Sequence, residues 1–329
     1  MLQDILLLIA GLVLLIGGGH FLVEAGVGAA RKFRIAPFVI GATVVAFGTS
    51  APELLVSLDA AMGGHPEMAL GNIVGSNIAN IALVLGATAC LITLPVVSKR
   101  LFNDWLIVIA SSVLLILFAM DGHIGLWEGL VLFLILHFYI LAAIRSPKED
   151  YATEDSRLNS WPLIILIFFL SCLGLSAGAN LLVNSASNIA LALNISEQVV
   201  SITIVAFGTS LPELTTSIIA ALKKQTDISI GNIIGSNLFN ILAVMGMTTI
   251  VHPIAISFHS FSKDLYLMLG IAILLMLLIY PFKTNIIRYK KEKTLKALAH
   301  LDAGQLNWKG GVVLLIIYAL YIWKLLVSQ

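Results

Sequence analysis

The sequence has few charged side chains and almost no cysteine. Aspartate, glutamate, lysine and arginine make up only 11% of the 329 residues, a share well below that of water-soluble domains. The two cysteines, Cys90 and Cys172, both lie in apolar stretches and lack metal-ligand spacing, so we interpret them as small buried hydrophobic residues. They carry no information on the redox compartment.

Recognisable catalytic and processing motifs are also missing. The chain shows no nucleophile–base pair and no cofactor-binding loop, so we expect neither an enzyme nor a bound cofactor. No basic region or small-residue cleavage site follows Met1, and a cleavable signal peptide is not expected. The sizeable polar segments, 145–160 and 283–309, are too short to fold as soluble domains. The net charge of +1 gives no indication of a nucleic-acid partner.

Long apolar stretches dominate the chain instead. Hydrophobic residues make up 59% of the sequence and the mean hydropathy is +1.00. A helix needs about 20 apolar residues to cross the hydrocarbon core of a lipid bilayer. We identify ten such stretches, at residues 3–28, 37–62, 67–93, 102–120, 124–144, 161–190, 197–222, 227–250, 265–282 and 310–328. The sequence therefore predicts an all-α integral membrane protein with ten transmembrane helices.

A block of 44 residues occurs twice, 160 positions apart. The copies span residues 43–86 and 203–246, and 23 of the 44 positions are identical, including the runs AFGTS-x-PEL and GNI-x-GSN-xx-NI. Duplicated packing alone would preserve hydrophobicity, whereas the residues preserved here include Glu, Asn, Ser and Thr, which a bilayer tolerates poorly. The duplication therefore predicts a transport site built from two halves of the chain.

Positive charges are distributed unequally between the loops. The loops after the first, third, fifth, seventh and ninth stretches hold 17 of the 19 lysines and arginines, and the opposite loops hold only Lys263 and Lys324. By the positive-inside rule the first set of loops is cytoplasmic. We therefore expect a multi-pass protein of the cell membrane with both termini outside.

Each half contains five stretches, an odd number, so the second half should enter the membrane from the opposite side. The predicted fold is thus two inverted five-helix repeats, an arrangement common among secondary transporters. The predicted units are a first membrane repeat at residues 1–145, a cytoplasmic linker at 146–160 and a second membrane repeat at 161–329.

Helical spacing places polar and small residues of the second stretch on one face, and the seventh stretch repeats this face. The two sets are Ala46, Thr49, Ser50, Glu53 and Ser57, and Ala206, Thr209, Ser210, Glu213 and Ser217. Pro52 and Pro212 each remove a backbone donor, so we predict that both helices open at the Gly-Thr-Ser-x-Pro run. Freed carbonyls, hydroxyls and a carboxylate at a helix break form a site for a hard cation.

The third and eighth stretches carry a second polar stripe. Its members are Asn72, Ser76, Asn77 and Asn80, and Asn232, Ser236, Asn237 and Asn240. The alternative that such residues only join helices by hydrogen bonds stays open for Asn72, Asn77, Asn232 and Asn237. It is much weaker for Glu53 and Glu213, because packing does not need a carboxylate at the bilayer centre.

Two carboxylates within the membrane restrict the ligand. An ionised carboxylate at mid-membrane costs roughly 2.5–3.5 kcal/mol, and two close together also repel. A proton, a set of monovalent cations or one divalent cation must neutralise them. The donors are all oxygen, which argues against zinc and copper and suits Ca²⁺ better than Mg²⁺. Because an empty site of charge about −2 is costly to occlude, exchange is favoured over leak.

The two blocks resemble the alpha repeats of the sodium/calcium exchanger family, within the cation/calcium antiporter superfamily, and the chain is similar to its short prokaryotic members. The resemblance implies Ca²⁺ and Na⁺ as transported ions. It also implies that Glu53 and Glu213 are the central calcium-binding carboxylates. The other implied ligands are the carbonyls of Thr49 and Thr209 for calcium, the carbonyls of Ala46 and Ala206 with Ser50, Ser210, Ser76 and Ser236 for sodium, and the central polar pair Asn80 and Asn240. Some members carry aspartate at the position of Asn240, so the amide here argues against a protonatable or potassium-linked role.

The residues of the two blocks allow three functions to be distinguished. The favoured hypothesis is a secondary antiporter that exchanges Na⁺ for Ca²⁺ by alternating access. An H⁺/Ca²⁺ antiporter is the alternative, but it would need a proton acceptor, and the amides of Asn80 and Asn240 do not titrate. A calcium-permeable channel is disfavoured because inverted halves place the site at the midplane between them. Neither a nucleic acid nor an obligatory protein partner is implied.

Overall fold

The computed structural model describes residues 2–96, 99–145, 158, 160–195, 200, 206–279 and 304–327. In chain order the helices are α1 (Leu2–Phe33), α2 (Pro37–Met62), α3 (Pro66–Leu91), α4 (Lys99–Ala119), α5 (Leu126–Ile144), α6 (Trp161–Ala192), α7 (Ala206–Gly208), α8 (Leu211–Leu222), α9 (Thr226–Val251), α10 (Phe258–Ile279) and α11 (Trp308–Val327). The strands are β1 (Leu94–Val96), β2 (His123–Ile124), β3 (Ile254–Ala255) and β4 (Gly304–Leu306). The fold is all-α, as predicted.

Nine helices in this described part of the chain are long and apolar enough to span a membrane. They correspond to nine of the ten predicted stretches, although α10 begins at Phe258 rather than at 265. The helices α3 and α9 are mostly buried, whereas most residues of α1, α5 and α6 are not. A helix that is apolar on all sides is suited to a lipid environment. We therefore interpret α1, α5 and α6 as lipid-facing helices around the pair α3 and α9, which is rich in glycine and asparagine.

The seventh predicted stretch is broken, as expected from its Gly-Thr-Ser-x-Pro run. The single turn of α7 ends at Gly208, Thr209 and Ser210 form a turn, and α8 then has only 12 residues. Pro212 lies in the first turn of α8, where its missing donor has no intrahelical partner to lose. The remainder of this stretch, apart from residue 200, lies outside the described residues.

The second stretch does not break at the same run, so that prediction is wrong for the first repeat. Residues Ala46–Met62 form one α-helix with Pro52 inside it, and a wider π-helical segment, Gly41–Val45, precedes it. A proline can bend a helix without ending it. The close packing of α2 along α9 also holds α2 helical, an effect that the local sequence does not contain.

Two small antiparallel sheets join the repeats. Strand β1 follows α3 and pairs with β4, which precedes α11. Strand β2 precedes α5 and pairs with β3, which follows α9. Each sheet therefore combines the strand after the third predicted helix of one repeat with the strand before the fifth predicted helix of the other. In two inverted repeats whose helices alternate in direction, β1 and β4 meet at one end of the protein and β2 and β3 meet at the other.

Glycines allow the closest contacts between helices. A Cβ atom at Gly11 of α1 would lie 2.8 Å from the carbonyl oxygen of Gly178 in α6, and a Cβ at Gly178 would lie equally close to the carbonyl of Gly11. In the interior, a Cβ at Gly235 of α9 would lie 2.5 Å from the carbonyl oxygen of Ala42 in α2. Small residues at such contacts are the usual means of helix association in membranes.

The Gly235 contact gives a stability prediction. We expect Gly235→Ala to lower the free energy of unfolding by about 1–3 kcal/mol, because the added methyl group must separate α9 from the α2 backbone. The matched control is Gly270→Ala in α10, where no described atom lies within 4 Å of the added carbon. Thermal unfolding of the purified variants in one detergent measures both. A Gly235→Ala variant as stable as Gly270→Ala would contradict the packing argument.

Candidate ion-binding site

The interior of the protein contains a polar cluster contributed by both repeats. The helices α2, α3, α8 and α9 supply it, together with the turn between α7 and α8. Of the predicted site residues, the buried ones are Ala46, Thr49, Ser50, Glu53, Ser76, Asn80, Ser210, Glu213, Ser236 and Asn240. Thr209 is half-buried, and Ala206 is the first residue of α7, with its side chain outside the described residues.

The two glutamates are both fully buried, with 0% of each residue exposed. The hydroxyl of Ser50 in the first repeat donates to Oε1 of Glu213 in the second, at 3.2 Å. Neither carboxylate oxygen of Glu53, nor Oε2 of Glu213, has a hydrogen-bond partner among the described residues. Buried carboxylate oxygens without partners are costly, and they are suited to a positively charged ligand.

Neutral oxygens would have to complete any cation site here. The described residues contain no group of three or more His, Cys, Asp or Glu side chains that could hold a metal ion. Hydroxyls and amides surround the carboxylates instead, and the hydroxyls of Ser76 and Ser210 have no partner within the described chain. Two carboxylates with several neutral oxygens form a donor set for a hard cation such as Ca²⁺.

The central amides are also without partners. Both side-chain atoms of Asn80 and of Asn240 are buried and make no hydrogen bond to any described residue. Asn80 begins the π-helical segment Asn80–Leu85, and Asn240 lies at the second position of the segment Phe239–Met245. Such wider turns occur often at functional sites. The sequence contained no signal for these segments, although it placed both asparagines in the site.

A second set of hydrogen bonds links the site helices. Within the first repeat, Nδ2 of Asn72 donates to the Ser57 hydroxyl at 3.0 Å and to the Glu53 carbonyl at 3.2 Å. Within the second repeat, Nδ2 of Asn232 donates to the Ser217 hydroxyl at 3.0 Å. The sequence left hydrogen bonding open for both asparagines, and the structure shows that they tie α3 to α2 and α9 to α8.

One hydrogen bond of this set crosses between the repeats. The Thr49 hydroxyl donates to Oδ1 of Asn232 at 3.1 Å and lies 3.3 Å from the hydroxyl of Ser236. The sequence does not predict this contact, since no spacing within one helix indicates which residue of the other repeat a side chain meets. Thr216, whose buried hydroxyl has no described partner, was also missed because its counterpart in the first repeat is Val56.

Outside the cluster, Glu24 of α1 forms a 2.6 Å ion pair with Lys223, the residue that follows α8. The predicted linker lies outside the described residues except for Leu158 and Ser160, and so does the lysine-rich run from 290 to 296.

Comparison with known proteins identifies the family. A family model described as sodium/calcium exchanger protein matches residues 4–145 and 163–327, which is nearly the whole chain. The chain belongs to the sodium/calcium exchanger family. One relative, the sodium/calcium exchanger MaX1 of Methanosarcina acetivorans, is 31% identical over 318 residues, covering 84% of this chain and 91% of the relative. The putative antiporter CaxA of Alkalimonas amylolytica is 38% identical over 290 residues, covering 84% and 90%.

Solved structures agree with this assignment. A structure of the sodium-calcium exchanger NCX_Mj superposes with a TM-score of 0.79 at 29% identity and covers 98% of both chains. Members of the sodium/calcium exchanger family are transporters rather than enzymes, and their ions are carried substrates rather than cofactors. The protein is thus a multi-pass membrane antiporter of the cation/calcium type.

Proposed function

We propose that this protein exchanges Na⁺ for Ca²⁺ across the cell membrane by alternating access. The observation that supports it most strongly is the pair Glu53 and Glu213, both fully buried, with three of their four carboxylate oxygens lacking a hydrogen-bond partner in the described chain. One Ca²⁺ neutralises the two charges, and so do two Na⁺ ions. Because the site holds either Ca²⁺ or Na⁺ but not both, the transport of one ion is coupled to the transport of the other.

The ligand roles follow from the donors around the carboxylates. We assign Glu53 and Glu213, with the carbonyls of Thr49 and Thr209, to calcium. We assign the carbonyls of Ala46 and Ala206 and the hydroxyls of Ser50, Ser210, Ser76 and Ser236 to sodium, with Asn80 and Asn240 between them. The unpartnered hydroxyls and amides of this set support the assignment. We further propose that the membrane repeats are residues 1–145 and 161–329, joined by a cytoplasmic linker at 146–160.

The relatives support sodium rather than protons as the coupling ion. MaX1 carries the name sodium/calcium exchanger, and one NCX_Mj structure was obtained after soaking with Na⁺ and Ca²⁺. In this chain the central pair consists of the amides Asn80 and Asn240, which neither add charge nor titrate near neutral pH. Both observations favour sodium coupling over the H⁺/Ca²⁺ alternative.

Flux into proteoliposomes tests the proposal. We expect uptake of radioactive Ca²⁺ when a Na⁺ gradient is imposed alone, and no uptake with a K⁺ or an H⁺ gradient alone. Liposomes without protein provide the background for each gradient. Uptake that follows a pH gradient in the absence of Na⁺ would establish the proton-coupled alternative, and uptake independent of any counter-ion would indicate a channel.

Labelling from the two faces tests the proposed sidedness. In a variant without Cys90 and Cys172, we expect single cysteines at position 2 and within the 146–160 linker to react with an impermeant thiol reagent from opposite faces. The expectation follows from the unequal distribution of positive charge. Labelling of both cysteines from the same face would contradict an inverted arrangement of the repeats.

A further inference from the structure

The hydrogen bond between Thr49 and Asn232 is not matched by its counterpart in the repeat. The residues that correspond to this pair after the 160-residue offset are Thr209 and Asn72. All four residues are described, and in this part of the chain no hydrogen bond joins Thr209 to Asn72. Within each repeat the pattern is the same, since Asn72 holds Ser57 and Asn232 holds Ser217. The Ser50–Glu213 bond also crosses between the repeats without a counterpart, because the Ser210 hydroxyl and both carboxylate oxygens of Glu53 make no hydrogen bond to a described residue. The two repeats therefore differ in the hydrogen bonds that cross between them.

The bond that is present accompanies close packing of the same two helices. The first half of α2 lies against α9, where a Cβ at Gly41 would meet the carbonyl oxygen of Ile228 at 2.6 Å and one at Gly235 would meet Ala42. Thr49 lies on α2 just beyond this contact, so its bond to Asn232 extends the contact between α2 and α9 toward the carboxylates. In this conformation the first half of α2 is therefore held against α9.

We propose that Asn72 and Asn232 are positioning residues that form their cross-repeat bonds alternately. This inference rests on the proposed alternating access, because a protein of two inverted repeats changes its open side when the repeats exchange conformations. In the conformation described, Asn232 accepts from Thr49 and α2 is held against α9. In the other conformation, Asn72 accepts from Thr209 and the Thr49 bond is broken. Each asparagine keeps its bond to the serine of its own repeat throughout.

The two threonines allow the bonds to be removed one at a time. Thr49→Val and Thr209→Val each lose a hydroxyl donor with little change of shape and leave the backbone carbonyl in place. A net hydrogen bond is sufficient to change a two-state equilibrium about fivefold. Thr49→Val should therefore populate the conformation in which α2 separates from α9, and Thr209→Val should depopulate it.

Hydrogen exchange of the backbone amides of Gly41–Val45, measured by mass spectrometry in Na⁺- and Ca²⁺-free buffer, reports this separation. We expect exchange of this segment to be about fivefold faster in Thr49→Val and slower by a similar factor in Thr209→Val. Asn232→Ala should follow the first variant and Asn72→Ala the second. Thr49→Ser retains the donor and should exchange like the unmodified protein.

Opposite signs distinguish alternation from a general loss of stability. Faster exchange in both valine variants, or no change in either, would overturn the proposal, because a bond with only a structural role has no reason to protect the segment when it is removed. The measurement contains no transported ion. Loss of Na⁺-driven uptake by the unmodified protein would therefore refute the proposed function without affecting this result.

Discussion

Neutralising either buried glutamate is expected to abolish Ca²⁺ transport. Glu53→Gln and Glu213→Gln keep the size of the side chain but halve the negative charge available to neutralise Ca²⁺. Because both carboxylates are fully buried, water does not compensate for the weaker binding of Ca²⁺ to a single carboxylate. We therefore expect Na⁺-driven Ca²⁺ uptake to fall to the protein-free background. The protein should still fold and insert, since the amide removes an expensive buried charge. Uptake into proteoliposomes and the elution profile of the purified variants measure the two effects.

The matched control is Glu67→Gln, the same chemical change at an exposed residue in the first turn of α3. It should retain uptake, because an exposed charge near a helix start contributes little. Asn72→Ala should reduce uptake less than either glutamate variant, since it removes hydrogen bonds but no charge. Undiminished uptake by Glu53→Gln or Glu213→Gln would show that these glutamates are structural.

Membrane potential is expected to change the equilibrium Ca²⁺ ratio more than tenfold per 100 mV. The central cluster contains two carboxylates and the amides of Asn80 and Asn240, so one Ca²⁺ or two Na⁺ ions neutralise it. The family resemblance implies three Na⁺ ions, one beyond neutrality, so that each cycle carries one net charge. Moving one charge through 100 mV corresponds to about 2.3 kcal/mol, which exceeds the 1.4 kcal/mol of a tenfold change.

A potential clamped with valinomycin and K⁺ measures this effect on Na⁺-driven Ca²⁺ flux. In a separate experiment, a choline background without K⁺ should leave the flux intact when the potential is held constant, because the cluster offers no third acid to favour an additional K⁺. A flux that does not change with the membrane potential would indicate an electroneutral exchange of two Na⁺ ions for one Ca²⁺. A requirement for K⁺ itself would show that the sodium-only coupling is wrong.

Local sequence was sufficient for most of the helices, and most of the residues that it predicted for an ion site are buried in the structure. Apolar length alone placed α2 at Pro37–Met62, within the bounds later observed, because a single helix satisfies its own backbone in lipid. The repeated block predicted an interior role for Glu53 and Glu213 because a carboxylate within the membrane is costly, and the structure shows both side chains fully buried. Hydropathy and duplication are properties of the chain that do not depend on which helix packs against which.

Tertiary structure decided where the two copies differ. The same Gly-Thr-Ser-x-Pro run is broken before α8 and continuous in α2, although the local sequence is nearly identical. In the first repeat α2 packs closely along α9 through Gly41 and Gly235, a contact that the local sequence does not contain. A hydrogen bond such as Thr49 to Asn232 joins residues 183 positions apart. Two copies of the same run can adopt different conformations when the contacts around them differ, and such contacts exist only in the folded protein.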